Sequence, residues 1–201
     1  MIVRDNDRVS SADPETERPS GDPPHEPVRP RKLALFGAVA AFVLLCDLVS
    51  KILVVANLDY TNPVRTLGGA IYLVRTTNSG AAFSLGTGAT AILTVVAVAV
   101  VFVILRTASR MRSTGWAVAL GLVLGGALGN LVDRLFRAPG VGRGSVVDWI
   151  SLFSDDGHVW PIFNLADSAI VLGAVLAAIL ALRGIDIDGS GNRVKRDGGR
   201  E

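Results

Sequence analysis

Two aspartates lie in apolar segments, where a carboxylate is costly to bury. Asp148 stands in the segment VVDWI, and Asp167 stands in FNLADSAI. An ionised side chain at membrane depth costs roughly 3 kcal/mol unless a partner or water compensates it. Neither aspartate has a basic residue three or four positions away on its own segment. A functional role is therefore favoured over a structural ion pair for both of them.

Two neighbouring carboxyls are suited to the activation of water. Burial and like-charge repulsion let such a pair hold a single proton near neutral pH. The ionised carboxyl can then take a proton from water, while the protonated one polarises the carbonyl of a peptide bond. Asp148 and Asp167 therefore predict aspartyl protease chemistry. Which of them holds the proton stays open, because a coupled pair titrates as a unit.

Other chemistries lack the residues that they need. His25 lies in the Pro-rich first 32 residues and His158 in a predicted loop, so the predicted helices hold no histidine to activate a serine. The sequence has no H-E-x-x-H pattern, and we expect no metal ion or cofactor. The single cysteine, Cys46, excludes an internal disulfide and is interpreted as a packing residue. No basic face with interleaved aromatic residues predicts nucleic-acid binding.

Four long apolar stretches can position the two aspartates. They cover residues 33–56, 83–105, 114–136 and 160–183 of the 201-residue chain, which is 50% hydrophobic. A helix rises 1.5 Å per residue, so about 20 residues cross the ~30 Å hydrocarbon core of a bilayer. The sequence therefore predicts an all-α membrane protein with four transmembrane helices in one domain, residues 33–183.

The segments outside these stretches differ in character. Residues 1–32 are rich in proline and charge and lack the apolar core of a signal peptide, so they predict a disordered tail. Residues 184–201 are Gly-rich and charged, and they predict a second disordered tail. Residues 57–82 contain IYLVRTTNSG, which alternates partly between apolar and polar residues and ends in a turn signal. We expect a small β-hairpin there.

The distribution of basic residues predicts the orientation of the helices. Arginines and lysines concentrate before the first helix, in the link between the second and third, and after the fourth. These residues are Arg29, Arg31, Lys32, Arg106, Arg110, Arg112, Arg183, Arg193, Lys195 and Arg196. The other two loops hold only Arg65, Arg75, Arg137 and Arg143. Because cytoplasmic loops carry the excess of positive charge, both termini are predicted to be cytoplasmic and loops 57–82 and 135–158 to face outside.

The polar residues embedded in the predicted helices converge on one depth. At 1.5 Å per residue, those of the first and third helices lie about 21–30 Å from the cytoplasmic start. Those of the fourth helix lie within about 8 Å of its outer start. The set consists of Asp47, Lys51, Asn130, Asp133, Arg134, Asn164 and Asp167. This convergence predicts a site at the outer end of the helices.

Several of these residues also have a structural interpretation. Asp47 and Lys51 are four positions apart, so they could form a neutralising ion pair on one helix face. Asp133 and Arg134 could anchor the end of the third helix through an Asp–Arg pair, within that helix or across helices. Small residues permit close helix approach, and the third helix carries Gly121, Gly125, Gly126 and Gly129.

Five ordered sequence blocks carry a resemblance to a known family. They are DLVSK (47–51), TNSGAAFSL (77–85), GGALGNLVDRL (125–135), VVDWI (146–150) and FNLADSAI (163–170). In this order and spacing, over about residues 33–183, the chain resembles the lipoprotein signal peptidases, or signal peptidase II, which are bacterial aspartic membrane peptidases. Only minor departures occur, such as Trp149 where phenylalanine is common.

The resemblance implies a fold, a reaction and a location. It implies four transmembrane helices with a small outward β-cradle, in the bacterial cytoplasmic membrane, with the active site on the extracytoplasmic face. It implies an endopeptidase that removes the signal peptide of prolipoproteins just before the diacylglyceryl-modified cysteine. The expected inhibitor is globomycin, and the expected form is a monomer. Asp148 and Asp167 would be the catalytic dyad.

The resemblance also implies roles for the other motif residues. Asn164 would lie beside the dyad, and Asn78 and Gly80 would belong to the cradle that contacts substrate. The remaining residues would support or shape the site, and they are Asp47, Lys51, Gly126, Asn130, Asp133 and Arg134. The alternative function is a small proton- or ion-coupled transporter, because intramembrane carboxylates also serve as relays. A transporter needs polar groups that reach both sides, often with an inverted repeat, and the sequence displays neither.

Overall fold

The computed structural model describes residues 30–80 and 88–190. Four α-helices lie within these ranges and form a bundle. They are α1 (Leu33–Asn57), α2 (Gly88–Ala108), α3 (Thr114–Phe136) and α4 (Leu165–Leu182). Each of the four is long and apolar enough to cross a membrane, with a mean hydropathy between 1.7 and 2.5. The prediction of four membrane-spanning helices is confirmed.

The predicted C-terminal ends of the helices lie within three residues of the observed ones, and the largest difference within the described residues is at the start of the fourth helix. The fourth helix begins at Leu165 rather than at residue 160, because Asn164 caps its first turn and Phe163 still pairs with Ile150 of the sheet. The predicted start of the second helix, residue 83, lies outside the described residues. The described part of that helix runs from Gly88 to Ala108.

The strands form one small antiparallel sheet in the order β1-β2-β3. The strands are β1 (Val64–Thr66), β2 (Ile71–Asn78) and β3 (Val146–Leu152), and a short 3-10 helix, Leu67–Gly69, joins the first two. β1 and β2 form the predicted hairpin. The third strand was not predicted, and it contains Asp148, which lies opposite Thr76 of β2. The segment between α3 and α4 that carries Asp148 is therefore part of the sheet.

α3 is the central helix of the bundle. Over its most apolar window 56% of the residues are buried, against at most 28% in the other three spans. Its glycines allow the close packing that the sequence predicts. A methyl group on Gly125 would lie 2.6 Å from the carbonyl oxygen of Ala40 in α1, and Gly126 meets the carbonyl oxygen of Ala166 in α4. The outer helices expose large apolar side chains such as Phe102, as expected of surfaces that face lipid.

The end of the bundle away from the sheet is closed by the chain after α4. The backbone N–H of Ser113 donates to the carbonyl oxygen of Ile187 at 3.0 Å, and Trp116 Nε1 donates to that of Ile185 at 2.7 Å. Ile187 packs against the buried apolar residues of the bundle. The prediction of a disordered tail from residue 184 is therefore wrong for residues 184–190. The rest of that tail and residues 1–29 lie outside the described residues.

Candidate active site

Four elements meet at the sheet end of the bundle and bring the predicted polar residues together. α1 and α3 end there, α4 begins there, and β3 lies across them. Buried polar side chains are concentrated at this junction, and they are Asp47, Lys51, Asn130, Asp133, Asp148 and Asn164. The predicted convergence of these residues is thus seen in the structure.

Asn164 connects the two candidate catalytic aspartates. It is the N-cap of α4, and its Oδ1 accepts a hydrogen bond from the backbone N–H of Asp167 at 2.9 Å. In return, Asp167 Oδ2 accepts from the backbone N–H of Asn164 at 3.3 Å, which completes a capping box. The Nδ2 of Asn164 donates to Asp148 Oδ1 at 2.6 Å. One fully buried amide therefore joins the strand that carries Asp148 to the helix that carries Asp167.

Asn130 of α3 provides the second polar contact to the pair. Its Nδ2 donates to Asp167 Oδ1 at 2.8 Å. Its Oδ1 accepts from Lys51 Nζ at 3.2 Å and from Asn164 Nδ2 at 3.2 Å. Because a cation binds its oxygen, the amide of Asn130 is held with its NH₂ group towards Asp167. Asp167 therefore accepts from a polarised donor and also lies in the first turn of α4, where the helix dipole favours an anion.

Asp148 lies in a different environment. Its side chain is almost fully buried on β3, at the wall of a cleft. Burial, and next the nearby carboxylate of Asp167, raise the pKa of Asp148 to about 6, although hydrogen bonds from Asn78 and Asn164 act in the opposite direction. A carboxyl with this pKa exchanges a proton near neutral pH, as a catalytic acid or base requires.

Lys51 is the centre of a fully buried ion cluster behind the pair. Its Nζ lies 2.7 Å from Asp47 Oδ2 and 2.9 Å from Asp133 Oδ2. The Nε of Arg137 pairs with the other oxygen of Asp133, so two cations face two carboxylates. The prediction of an Asp47–Lys51 ion pair is confirmed. The ion pair of Asp133 is formed with Arg137, four positions along the helix, and not with Arg134.

The carboxylates of this cluster also hold the elements that carry the candidate dyad. Asp47 Oδ1 accepts from the backbone N–H of Ala166, the residue before Asp167, at 3.0 Å. Asp133 Oδ2 accepts from the backbone N–H of Val147, the residue before Asp148, at 3.2 Å. The ion cluster is therefore hydrogen bonded to the backbone beside each of the two aspartates.

The other predicted site residues surround this centre. Arg134 is half-buried, and its Nη1 donates a weak hydrogen bond to the carbonyl oxygen of Asn130 at 3.5 Å. Among the carboxylates, its positive charge interacts most strongly with Asp167 and next with Asp148. Gly80 has a φ of +82°, and its N–H donates to Asn78 Oδ1 at 2.8 Å in the turn that ends β2. Gly126 packs against the first turn of α4, so no side chain fits between the helices there.

A cleft of about 290 Å³ opens beside Asp148. One wall is the end of β2, with Thr76 and Asn78, and the opposite wall is the loop between β3 and α4, with Asp156 and Ile162. Sequence reasoning did not identify Thr76 or Ile162 as site residues, because the strand register places Thr76 opposite Asp148 and the path of the loop between β3 and α4 brings Ile162 to the cleft. The carboxylate of Asp156 is exposed and accepts hydrogen bonds from His158, which lower the pKa of Asp156 to about 2.

The part of the chain that the structure describes holds no group of three His, Cys, Asp or Glu residues that could bind a metal ion. The arrangement at the sheet end instead offers two carboxylates of different environment that are joined by one amide, and one of them, Asp148, lines a cleft. Such an arrangement is suited to general acid–base activation of a water molecule, in which the water and not a side chain is the nucleophile.

Comparison with known proteins identifies similar chains. The family model described as signal peptidase (SPase) II matches residues 39–183. A lipoprotein signal peptidase of Rhodococcus jostii is 46% identical over 96% of this chain and 100% of its own length. One of Streptomyces coelicolor is 49% identical over 94% of this chain and 95% of its own length. A solved bacterial membrane enzyme has the same fold, with a TM-score of 0.68 at 24% identity, and the match covers 79% of this chain and 99% of that one.

Proposed function

Because the chain belongs to the signal peptidase II family, we propose that this multi-pass membrane protein removes the signal peptide from bacterial prolipoproteins as an aspartic endopeptidase. The observation that carries the aspartic assignment is the bridge from Asp148 through Asn164 to Asp167. It joins two carboxyls from separate elements beside an open cleft. The transporter alternative lacks support, since the buried charges of the described spans, Asp47, Lys51 and Asp133, all lie at the sheet end.

The two aspartates divide the proton transfers. We assign the role of general base to Asp167, because it accepts from the Lys51-bound amide of Asn130 and lies at a helix N-terminus. We assign the role of general acid to Asp148, since burial and the carboxylate of Asp167 raise its pKa to about 6, so that a fraction of the molecules holds a proton there near neutral pH. Asp167 takes a proton from water as the water oxygen attacks the peptide carbonyl, and Asp148 gives its proton to the carbonyl oxygen. Asp167 then gives its proton to the leaving nitrogen, the C–N bond breaks as the carbonyl re-forms, and a hydroxyl of the tetrahedral intermediate returns a proton to Asp148.

The substrate binds as an extended peptide along β2. Within the described residues, β1 pairs only with Ile71 to Leu73, so the later part of β2 keeps a free edge on that side. The cleft beside Asp148 follows this edge from Thr76 to Ser79. A peptide can add to an open strand edge through main-chain hydrogen bonds, and this mode of binding accepts peptides with different side chains. Asn78 and Gly80 are the cradle residues at this edge.

The cleavage position follows from the depth of the site. The dyad lies where three spans end or begin, at the level of a membrane interface. A diacylglyceryl-modified cysteine keeps its acyl chains in the leaflet and its backbone at this interface, so the bond just before that cysteine can reach the dyad. With the basic residues at the other end of the bundle on the cytoplasmic side, the site faces outward from the cytoplasmic membrane. The enzyme acts as a monomer and is inhibited by globomycin.

The experiment that tests this function compares a lipidated prolipoprotein with its unlipidated precursor. The purified full-length enzyme is incubated with each, and the products are identified by mass spectrometry. We expect one cut, in the lipidated protein, with the modified cysteine as the new N-terminal residue. Equally fast cleavage of the unlipidated precursor would contradict the assignment of the substrate, and a cut elsewhere would contradict the assignment of the bond.

A further inference from the structure

Two arginines of the loops beside the sheet are not used by the proposed chemistry. Arg75 of β2 and Arg137, which follows α3, line one cavity of about 490 Å³. Thr77 and Val147 line it too, and they are a cross-strand pair. The neighbouring pair is Thr76 with Asp148, and successive residues of a strand point to opposite faces. The cavity adjoins the cleft beside Asp148 at Thr77, which lines both, whereas Val147 lines only the cavity and Asp148 only the cleft.

Arg75 is held in place with part of its hydrogen-bonding capacity unused. Its Nη1 donates to the carbonyl oxygens of Val55 at 2.9 Å and Leu58 at 3.2 Å, at the end of α1. Its guanidinium lies over the ring of Tyr60, with 4.4 Å to the centroid. Among the described residues its buried Nε has no hydrogen-bond partner. A guanidinium has five N–H donors, and the hydrogen bonds to Val55 and Leu58 use only those of Nη1, so donors remain for a ligand oxygen.

The remaining lining adds positive charge and hydroxyl donors. Arg137 pairs with Asp133 through Nε only, which leaves its two terminal nitrogens for another acceptor. Thr77 and Ser145 contribute hydroxyl groups to the wall. None of the described residues that line the cavity is acidic. An anion that entered would meet two guanidinium groups and no carboxylate in the wall.

The position of the cavity indicates where its ligand comes from. Val55 lies in the last turn of α1, and Ala138 follows the end of α3, so the cavity lies where two membrane spans end. Lipid headgroups lie at this level of a bilayer. A ligand at this level would account for the presence of Arg75 and Arg137 in loops that hold few basic residues.

We propose that this cavity, formed by Arg75, Arg137, Thr77 and Ser145, binds a phosphate group. Planar guanidinium forks match the oxygens of a phosphate and bind them with charge-assisted, paired hydrogen bonds. The two sources of this chemistry are the phosphodiester of an anionic lipid headgroup and free phosphate in solution. The cavity adjoins the peptidase cleft at Thr77, and its arginines lie outside the wall of that cleft.

The test uses the purified full-length protein in lipid nanodiscs. One set of discs contains phosphatidylcholine alone, and the other contains phosphatidylcholine with phosphatidylglycerol. Native mass spectrometry measures how many phosphatidylglycerol molecules the protein retains as detergent strips the disc. In a separate arm, inorganic phosphate is titrated into the phosphatidylcholine discs against chloride at equal ionic strength, with thermal unfolding as the readout.

We expect wild-type protein to retain phosphatidylglycerol, and Arg75→Gln to weaken that retention by about tenfold, because a paired charge-assisted contact is lost. Arg75→Lys keeps the charge without the fork and falls between the two. The matched control is Arg143→Gln, an exposed arginine of a neighbouring loop outside the cavity. If Arg75→Gln does not fold, Thr77→Val with Ser145→Ala tests the same wall without a change in charge, and it weakens retention as well.

The outcomes distinguish a lipid phosphate from free phosphate as the ligand of the cavity. Retention of phosphatidylglycerol with no response to inorganic phosphate supports a lipid phosphate as the ligand. A stabilising response to inorganic phosphate that Arg75→Lys reduces supports a soluble phosphate as the ligand. If the wild-type protein neither retained phosphatidylglycerol nor responded to inorganic phosphate, the proposal would be overturned. It would also be overturned if Arg143→Gln weakened retention as much as Arg75→Gln, because the retention would then reflect a general attraction of anions to arginine.

Discussion

The side-chain amide of Asn164 donates to Asp148 at 2.6 Å from the cap position of α4. A strand residue and the first turn of a helix are thereby held by one side chain. Asp167 lies in that same first turn and accepts from the Asn164 backbone. Asn164 therefore links the positions of the two carboxyls directly.

Two substitutions of Asn164 separate its role at the dyad from its role as a helix cap. Asparagine and aspartate are equally good N-caps, whereas alanine costs about 1 kcal/mol at this position. We expect Asn164→Asp to keep the cap but to lose activity by on the order of 10²-fold, because it cannot donate to Asp148. Asn164→Ala should lose activity and thermal stability together. Activity of Asn164→Asp close to that of wild type would contradict the role of this amide at the dyad.

The raised pKa of Asp148 predicts how stability changes with pH. Its folded-state pKa of about 6 lies above the ordinary value of 3.8, so the folded protein binds this proton more tightly than the unfolded chain does. The contribution is favourable below the ordinary pKa and is lost as pH rises through about 6. Asp148→Asn, which removes the ionisation, should therefore be more stable than wild type by on the order of 1–3 kcal/mol at neutral pH.

The same comparison at acid pH provides the control. Below the ordinary pKa the Asp148 carboxyl is protonated in both states, so the advantage of Asp148→Asn should disappear there. Thermal unfolding of both proteins in one detergent, followed across this pH range, measures the difference. An advantage that stays constant with pH would show that a packing change, and not the ionisation of Asp148, is responsible.

Lys51 is expected to contribute strongly to stability. Lys51→Met would leave Asp47 and Asp133 buried with one cation fewer, and breaking a buried ion pair costs about 3–5 kcal/mol. The double variant Asp47→Asn with Lys51→Met removes one of the two carboxylates and should recover part of this loss. Denaturant or thermal unfolding measures both. A double variant that is destabilised by the sum of the two single effects would argue against the ion cluster as a unit.

Gly126 is expected to be needed for the position of Asp167. A methyl group at this position would overlap the carbonyl oxygen of Ala166 and come within 2.8 Å of Ile170. Gly126→Ala should therefore shift the first turn of α4 and lower the rate of cleavage. Gly37→Ala is the matched control, since a methyl group there has no neighbour within 4 Å and favours the helix by about 1 kcal/mol. Equal activity of the two variants would contradict the packing argument.

The spans and the candidate dyad could be predicted because each depends on local sequence. An apolar stretch of about 20 residues is sufficient to predict a membrane helix, and Asp148 and Asp167 were found because they lacked neighbours of opposite charge. The Asp133–Arg137 ion pair could also have been predicted, because its two residues are four positions apart on one helix, as Asp47 and Lys51 are. The start of α4 was similarly indicated by Asn164 and Asp167, which form a capping box.

What could not be predicted depends on contacts between distant segments. The third strand places Asp148 opposite Thr76, and only the register between two loops determines this. The donor that joins the dyad comes from a helix cap, and its direction depends on where β3 lies. The hydrogen bond from the Ser113 N–H to the carbonyl oxygen of Ile187 likewise depends on the bundle, which brings these distant segments together. Each of these features is a tertiary contact without a periodic signal in the sequence.

The most direct test of the dyad is the rate at which folded Asp148→Asn and Asp167→Asn proteins cleave a lipidated prolipoprotein. Asparagine keeps the size of each side chain and removes its acid–base function, so each variant should lose activity by on the order of 10³-fold. Asp186→Asn, an exposed aspartate at the far end of the bundle, should cleave at the wild-type rate. Cleavage by either dyad variant within about tenfold of wild type would contradict the aspartyl mechanism.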